Sequence, residues 1–224
     1  MSEGGAAPAA APIRVWDWPT RCFHWALVLL FGVQWWSGKA ERIDLHIASG
    51  LALIALLLFR LVWGLIGGST ARFSNFVRGP RALVGYLRGT SRPAIGHNPL
   101  GGWSVIAMLA LLAVQAGLGL FASDEDAVDA GPLSDWVSFE AAQLLLENHE
   151  TLFNILLGLI GLHVAAILYY RLRGEDLVSP MLSGRRAYPS AMAPLRPAPA
   201  WRLVAALAVA APLPLWLAWR WLAA

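Results

Sequence analysis

Charged residues and cysteine are scarce in this sequence. Only 14% of the 224 residues are charged, against roughly 25% in an ordinary soluble domain. Hydrophobic residues make up 58% of the chain, and the mean hydropathy is +0.56. These values exclude an ordinary soluble domain and predict a helical membrane domain. The single cysteine, Cys22, excludes an intramolecular disulfide, and no Cys-x-x-Cys-His pattern is present for covalent attachment of a c-type haem.

The first twelve residues are small and lack the charged and apolar regions of a cleavable signal peptide. We expect them to form a flexible tail that stays on the cytoplasmic side. The remaining chain is divided into a membrane domain at 13–175, a cytoplasmic linker at 176–200 and a C-terminal transmembrane helix at 201–224.

Five apolar segments are long enough to cross a bilayer, which takes about 20 helical residues. They cover about residues 17–37, 44–67, 101–121, 147–171 and 201–224. Asp17 and Asp44 are the expected N-caps of the first two segments, and Pro212 and Pro214 predict a kink in the last. The linker 68–100 contains PRALVGYLRG, a candidate surface helix. The predicted fold is an all-α integral membrane bundle with a four-helix core and a fifth, C-terminal helix.

The fourth segment carries two histidines, His149 and His163, on one face. Fourteen residues of α-helix rise by roughly 21 Å and return to within about 40° of the starting direction. His24 lies near the beginning of the first segment, and His46 lies in the first turn of the second. Arg60 follows His46 by the same interval of fourteen residues. Polar side chains at membrane depth are costly and usually mark a functional site. No internal repeat is evident beyond this histidine spacing.

The loops between the segments differ strongly in charge. The linker 68–100 has five arginines and no acid, and residues 171–202 have six arginines. Both belong on the cytoplasmic side by the positive-inside rule. The loop 122–150 has eight acidic residues and no lysine or arginine, so we expect it to face outward. Five spans then place the C-terminus in the periplasm of a bacterial inner membrane.

We pair the histidines by the depth in the membrane at which we expect them to lie. His46 and His149 fall near the outer side, and His24 and His163 fall near the inner side. Two imidazoles fill both axial positions of a haem iron, an arrangement that favours electron transfer over binding of a small ligand. Two haem b groups are therefore predicted.

Three other interpretations of the histidines are open. They can be polar packing residues, a proton relay, or ligands of zinc or copper. A relay usually recruits an acid within the membrane, and none is present in the middle of a span. Zinc or copper prefers ligands clustered at one depth, whereas these histidines divide between two.

Several stretches resemble one known family. They are VWDWPTRCFHW, LHIASGLALIALLLFRLVWG, the GHNPLGG loop and the paired His149 and His163. Together they resemble the bacterial di-haem cytochrome b561 and nickel-hydrogenase b-type cytochrome subunits, over roughly residues 13–175. The resemblance implies a four-helix haem-binding core that passes electrons between the quinone pool and an outer-side redox protein, with His24, His46, His149 and His163 as ligands. The fifth segment departs from the minimal four-helix pattern.

Two further residues are assigned to cofactors. Arg60 is predicted to pair with a propionate of the inner haem, because haem carboxylates need a counter-charge. The alternative is an arginine that extends to the cytoplasmic interface. His97 lies in a loop rich in glycine and proline, and it is predicted to be a loop residue or part of a quinone site on the inner side, and not a haem ligand.

Three functions are weighed. The first is transmembrane electron transfer between quinone and an outer protein such as a c-type cytochrome or a hydrogenase. The others are a superoxide-to-quinone oxidoreductase and a haem-free structural or transport subunit. The predicted outer surface has ten acids against three bases, which repels superoxide and attracts a basic protein. A protein partner is therefore favoured, the lipid bilayer surrounds the bundle, and no nucleic acid is expected.

Overall fold

The computed structural model of the chain describes residues 12–90, 95–126, 128–188 and 193–223. The predicted flexible tail lies outside these residues, except for Pro12. The described residues form nine α-helices: α1 Trp18–Lys39, α2 Ile43–Ile66, α3 Phe73–Phe76, α4 Pro80–Leu87, α5 Pro99–Phe121, α6 Phe139–Leu172, α7 Val178–Ser183, α8 Ala200–Ala210 and α9 Pro212–Ala223. A short antiparallel ribbon pairs β1 (Ile13–Arg14) with β2 (Arg185–Arg186), and Ser134–Trp136 form one 3-10 turn. The all-α prediction is confirmed.

Side-chain caps set the start of two of the long helices. The carboxylate of Asp17 accepts a hydrogen bond of 2.9 Å from the backbone N–H of Thr20, as predicted for α1. The side chain of Asn98 accepts a bond of 2.7 Å from Gly101 N–H at the start of α5. The prediction that Asp44 caps α2 is wrong, because the N-cap residue is Arg42 and Asp44 lies inside the first turn. An acid at that position still interacts favourably with the helix dipole.

Helix α6 is longer than the sequence predicted. It has 34 residues and begins at Phe139, where Ser138 supplies the cap, and not near residue 147. The cause is the segment FEAAQLLLEN, whose good helix formers continue the membrane helix outward despite its acids. His149 is therefore the eleventh residue of α6, and about 15 Å of helix precede it.

Helix α2 is the centre of the bundle. It packs against α1, α5, α8 and α9, and α5 packs along α6. Ala206 and Ala210 of α8 share a buried cluster with Phe59 and Trp63 of α2. Small alanine side chains allow α8 and α2 to approach closely. The fifth apolar segment is thus part of the helical core and not an appendage to it.

The predicted kink in that segment is confirmed. Helix α8 ends at Ala210 and α9 begins at Pro212, because proline removes one backbone donor and its ring clashes with the preceding turn. After the kink, Leu217 of α9 packs with Leu51 of α2 and with Leu133 of the loop between α5 and α6. The surface helix predicted in the linker 68–100 is also present, as α4.

The two ends of the bundle have different loops. At one end the β1–β2 ribbon lies beside the loop after α2, since Thr70 donates to Val15 O at 2.6 Å and Ser69 N–H donates to Arg196 O at 3.0 Å. At the other end Arg220 of α9 donates to Pro132 O at 2.8 Å and pairs with Asp135. We call the end with the β1–β2 ribbon the arginine end, and the end with Asp135 the acidic end. The linker between α6 and α8 contains α7 and β2.

Four helical segments of the described chain are long and apolar enough to cross a membrane: α2, α5, α6 and the combined segment Ala200–Ala223. Helix α1 is more polar, with Arg21, His24 and Gln34 in it, but its 22 residues extend about 33 Å. It lies along α2 and runs from the arginine end to the acidic end. Five helical segments therefore cover the distance between the two ends.

Candidate functional site

His46 and His149 lie against each other near the acidic end. Their ring centroids are 6.1 Å apart and the ring planes cross at 77°. His46 is the fourth residue of α2, and His149 comes from α6. Because α2 and α6 are separated by about a hundred residues of sequence, only the folded bundle brings these two rings together.

Both rings are oriented by hydrogen bonds to backbone carbonyls. His46 Nδ1 lies 3.1 Å from Gln34 O, and His149 Nδ1 lies 2.9 Å from Gln115 O. A carbonyl oxygen only accepts, so each Nδ1 carries the proton and donates it. Each Nε2 is then the unprotonated nitrogen that can bind a metal.

A cavity of about 450 Å³ surrounds this pair. Its wall includes apolar side chains of α1, α2 and α5, and Asp124, Asp129, Glu150 and Lys39 also line it. A concave, mostly apolar site with a few polar groups is the usual form of a cofactor pocket.

The pair His24 and His163 lies toward the arginine end. His24 and His163 lie near each other, and both lie near His97. The His24 ring meets the edge of Trp25 at 5.1 Å between centroids. Within the described chain His24 Nδ1 is buried and has no hydrogen-bond partner.

Arg60 is enclosed beside this second pair. It is only 3% exposed, and its guanidinium lies 4.6 Å from the ring centre of Phe73, 5.9 Å from that of Phe23 and 6.0 Å from that of Phe76. One of its nitrogens, Nη1, is buried without a partner in the described residues. Cation–π contacts and the charge of the nearby Asp17 carboxylate offset part of the desolvation cost. The side chain of Arg60 is enclosed by aromatic rings inside the bundle, which favours a role in cofactor binding over extension to the interface.

His97 lies in the loop before α5, between two aromatic rings. Its ring centroid is 4.8 Å from that of Trp16 and 4.8 Å from that of Phe76. The residue as a whole is half-buried, but its Nδ1 is enclosed and has no partner among the described residues. Burial, together with the charges of Arg60 and the nearby histidines, lowers the pKa of His97 to about 3. His97 is therefore neutral at physiological pH.

The pair His46 and His149 suits a metal that needs two protein ligands. Two imidazoles that share one metal ion at about 2.0 to 2.1 Å per nitrogen have ring centres roughly 6 Å apart, and His46 and His149 have that separation. No group of three or more His, Cys, Asp or Glu that could hold a metal ion occurs in the part of the chain that the structure describes. The donor set fits haem iron, for which the macrocycle supplies the other ligands.

Comparison with known proteins agrees with this geometry. A family model described as prokaryotic cytochrome b561 matches residues 15–184. The chain belongs to the prokaryotic cytochrome b561 family. No curated protein and no solved structure matches the chain.

This cytochrome is a membrane protein that transfers electrons through b-type haem. The matched residues include all four predicted histidine ligands and end at Gly184, before α8 begins. The family resemblance seen in the sequence is confirmed, and α8 and α9 lie beyond the matched residues.

An apolar layer of the cytochrome separates the two histidine levels. Leu53 and Leu57 of α2, Leu112 of α5 and Leu156 of α6 form one buried cluster. Leu27, Leu30 and Phe31 of α1 pack against this cluster. The layer excludes water between the two pairs and keeps the local dielectric low.

Sequence reasoning missed the carbonyls of Gln34 and Gln115. No side-chain pattern marks a backbone acceptor, so the only available signal was the position of each glutamine in an apolar span. The structure also gives Gln34 a second role, because its side-chain amide donates to His46 O and to Ser49 Oγ, both at 2.7 Å. This amide joins α1 to α2 beside His46.

Proposed function

We propose that this cytochrome carries electrons across the membrane through two haem b groups. Quinone is the exchangeable partner on one side, and an outer redox protein, such as a c-type cytochrome or a hydrogenase, is the partner on the other. Haem b supplies the one-electron chemistry when bound, and the protein supplies ligands, orientation and charge. The observation that carries the proposal is the approach of His46 to His149, with both Nδ1 atoms held by carbonyls.

His46 and His149 would hold the outer haem, and His24 and His163 would hold the inner one. The interval of fourteen residues between His149 and His163 supports two separate levels, roughly 21 Å apart along α6. The apolar layer around Leu156 between them supports the same division.

The charge of the loops supports one orientation. The arginine end would face the cytoplasm with the N-terminus, and the acidic end would face the periplasm with the C-terminus, in a bacterial inner membrane. The pairing of Arg220 with Asp135 supports a C-terminus on the same side as the acidic loop.

Arg60 and His97 would serve the inner side. Arg60, a buried cation with an unpartnered nitrogen, would bind a haem propionate. His97, enclosed between Trp16 and Phe76 next to Arg60, would form part of the quinone site. A neutral imidazole there can donate a hydrogen bond to a quinone carbonyl oxygen or accept one from a quinol hydroxyl.

The acidic end favours a protein as the outer partner over superoxide. Asp124, Asp129 and Glu150 line the cavity, and Lys39 is the one lysine or arginine among its described lining residues. A negative mouth repels an anion and attracts a basic protein surface. Superoxide-to-quinone oxidoreduction is therefore the second candidate function.

The first test is a reduced-minus-oxidised optical spectrum of the purified protein together with the haem-to-protein ratio. We expect a b-type spectrum and two haems per chain. One haem per chain contradicts the two-site proposal, and a featureless spectrum supports a haem-free subunit.

A second test addresses the quinone. Quinol-driven haem reduction should be slower in His97→Ala, with both haems retained, and Arg78→Ala is a control in the same linker. Unchanged kinetics in His97→Ala place the quinone elsewhere.

A further inference from the structure

Each of the two histidines at the acidic end is contacted by a glutamine and a glycine that have the same spacing in the sequence. Gln34 and Gly38 on α1 have the spacing Gln-x-x-x-Gly, and so do Gln115 and Gly119 on α5. Residues four apart lie on the same face of a helix. The first pair faces His46 of α2, and the second pair faces His149 of α6.

The glutamine of each pair supplies a carbonyl to the histidine Nδ1. In both hydrogen bonds a histidine Nδ1–H donates to the backbone carbonyl of the glutamine, at 3.1 Å for His46 and at 2.9 Å for His149. They fix the same tautomer in both rings, and they fix each ring against rotation about its Cβ–Cγ bond. Ser37 Oγ lies 3.3 Å from His46 Nδ1 and adds to the first of these contacts.

The glycine of each pair makes room for the ring. A Cβ atom at Gly119 would lie 2.9 Å from His149 Cε1, and a Cβ atom at Gly38 would lie 3.3 Å from His46 Cε1. The first distance is shorter than carbon atoms tolerate, so the ring would have to move. Any side chain larger than hydrogen at Gly119 therefore displaces His149 from its carbonyl.

Other glycines of the same helices do not have this role. A Cβ atom at Gly32 of α1 or at Gly117 of α5 meets nothing within 4 Å. At the arginine end, His24 Nδ1 has no hydrogen-bond partner among the described residues. The pattern thus belongs to one histidine pair and is not a general feature of helix packing here.

We propose that Gln34, Gly38, Gln115 and Gly119 form a two-part clamp that positions both axial histidines of the outer haem. Each half fixes the tautomer of one ring and the direction of its Nε2. These four are positioning residues, since they act through His46 and His149. The inference rests on the proposed function, and it adds an internal repeat that links the α1–α2 hairpin to the α5–α6 hairpin.

The test compares alanine at the clamp glycines with alanine at neighbouring glycines, in the full-length purified cytochrome. Gly119→Ala is matched with Gly117→Ala, and Gly38→Ala is matched with Gly32→Ala. Each change raises helix propensity by a similar amount. A difference within a matched pair therefore reports on the histidine.

The readouts are the low-spin EPR signals of the oxidised protein and the rate at which each haem is lost to an excess of a haem-free globin. The outer haem is assigned as the one that His149→Ala removes. We expect Gly119→Ala to shift its EPR signal and to weaken its retention about tenfold, as when a partner behind a metal ligand is lost. Gly38→Ala should act in the same direction with a smaller effect, because its contact is less close.

The inner haem serves as the folding control in every variant. The proposal is overturned if Gly119→Ala and Gly117→Ala behave alike, or if the inner haem is affected as much as the outer one. A wild-type protein without haem overturns the proposed function itself, whereas two bound haems with no difference within the matched pairs overturn the clamp alone.

Discussion

Phe31 of α1 and Phe153 of α6 stack across the bundle between the two histidine levels. Their ring centroids are 5.9 Å apart and their planes differ by 19°. Phe153 follows His149 by one helical turn, and both rings line the cavity at the acidic end. This contact joins the first and last helices of the predicted haem-binding core, which are far apart in sequence.

The aromatic pair should show a measurable coupling energy. We expect a double-mutant cycle with Phe31→Leu and Phe153→Leu to give about 0.5 to 1.5 kcal/mol, the range for aromatic pairs beyond their area burial. The measurement is the free energy of unfolding in mixed detergent micelles. Leu29 and Leu162 are both largely exposed, so their alanine variants should be additive. Additivity in the phenylalanine cycle as well would contradict direct coupling.

Single histidine variants should remove one haem each, in pairs. His46→Ala and His149→Ala are expected to remove the outer haem, and His24→Ala and His163→Ala the inner haem, because each iron loses one of its two axial ligands. Haem content and the reduced spectrum measure this. If His46→Ala and His24→Ala remove the same haem, the pairing by depth is wrong.

Arg60 should raise the reduction potential of the inner haem. A nearby buried cation stabilises the added electron, so Arg60→Gln should lower that potential on the order of 59 mV, a tenfold change in a one-electron equilibrium. The outer haem should keep its potential. Arg202→Gln is the matched control, since Arg202 lies at the same end and donates to Ile66 O at 3.0 Å. If a potentiometric titration shows that Arg60→Gln shifts the reduction potentials of both haems equally, Arg60 does not pair locally with the inner haem.

His97 should make the protein less stable in acid. Its pKa is lowered to about 3 in the folded protein by burial, whereas an unfolded histidine titrates near about 6.5. Between these values the unfolded state binds one more proton, so stability falls with decreasing pH by at most about 1.4 kcal/mol per pH unit. His97→Phe should flatten this slope between pH 4.5 and 6.5 and leave stability at pH 7.5 little changed, as measured by unfolding at each pH. If the free energy of unfolding falls equally with decreasing pH in the wild-type protein and in His97→Phe, His97 is not the cause of the lower stability in acid.

The acidic end should steer a basic redox partner. We expect electron exchange with a basic c-type cytochrome to slow as salt is added, and to slow about tenfold at low salt when Asp124, Asp129 and Glu150 are changed to amides. Glu175→Gln is the control at the opposite end, where Glu175 pairs with Arg186 at 3.1 Å. Fast haem reduction by superoxide, together with salt-independent exchange, supports the second candidate function instead.

Sequence reasoning located the spans because hydropathy and length are local properties. It placed the start of α1 from Asp17 and the break before Pro212, where one side chain dictates the backbone. It misplaced the start of α6, since the acids of residues 139–150 suggested a loop although their neighbours are strong helix formers. It missed the carbonyls of Gln34 and Gln115 and the enclosure of Arg60 by three phenylalanines, because such contacts come from helix packing and leave no periodic signal.

Helix α6 runs without interruption from Phe139 to Leu172 and carries one histidine at each level. A continuous helix resists extension, because lengthening it breaks backbone hydrogen bonds. Tilting or sliding of α1 or α2 therefore changes the orientation of the histidine rings that these helices carry. The distance between His149 and His163 along α6 stays the same. Electron tunnelling slows steeply with distance, so this single helix would make the rate between the two levels insensitive to bilayer thickness and to the motion of neighbouring helices.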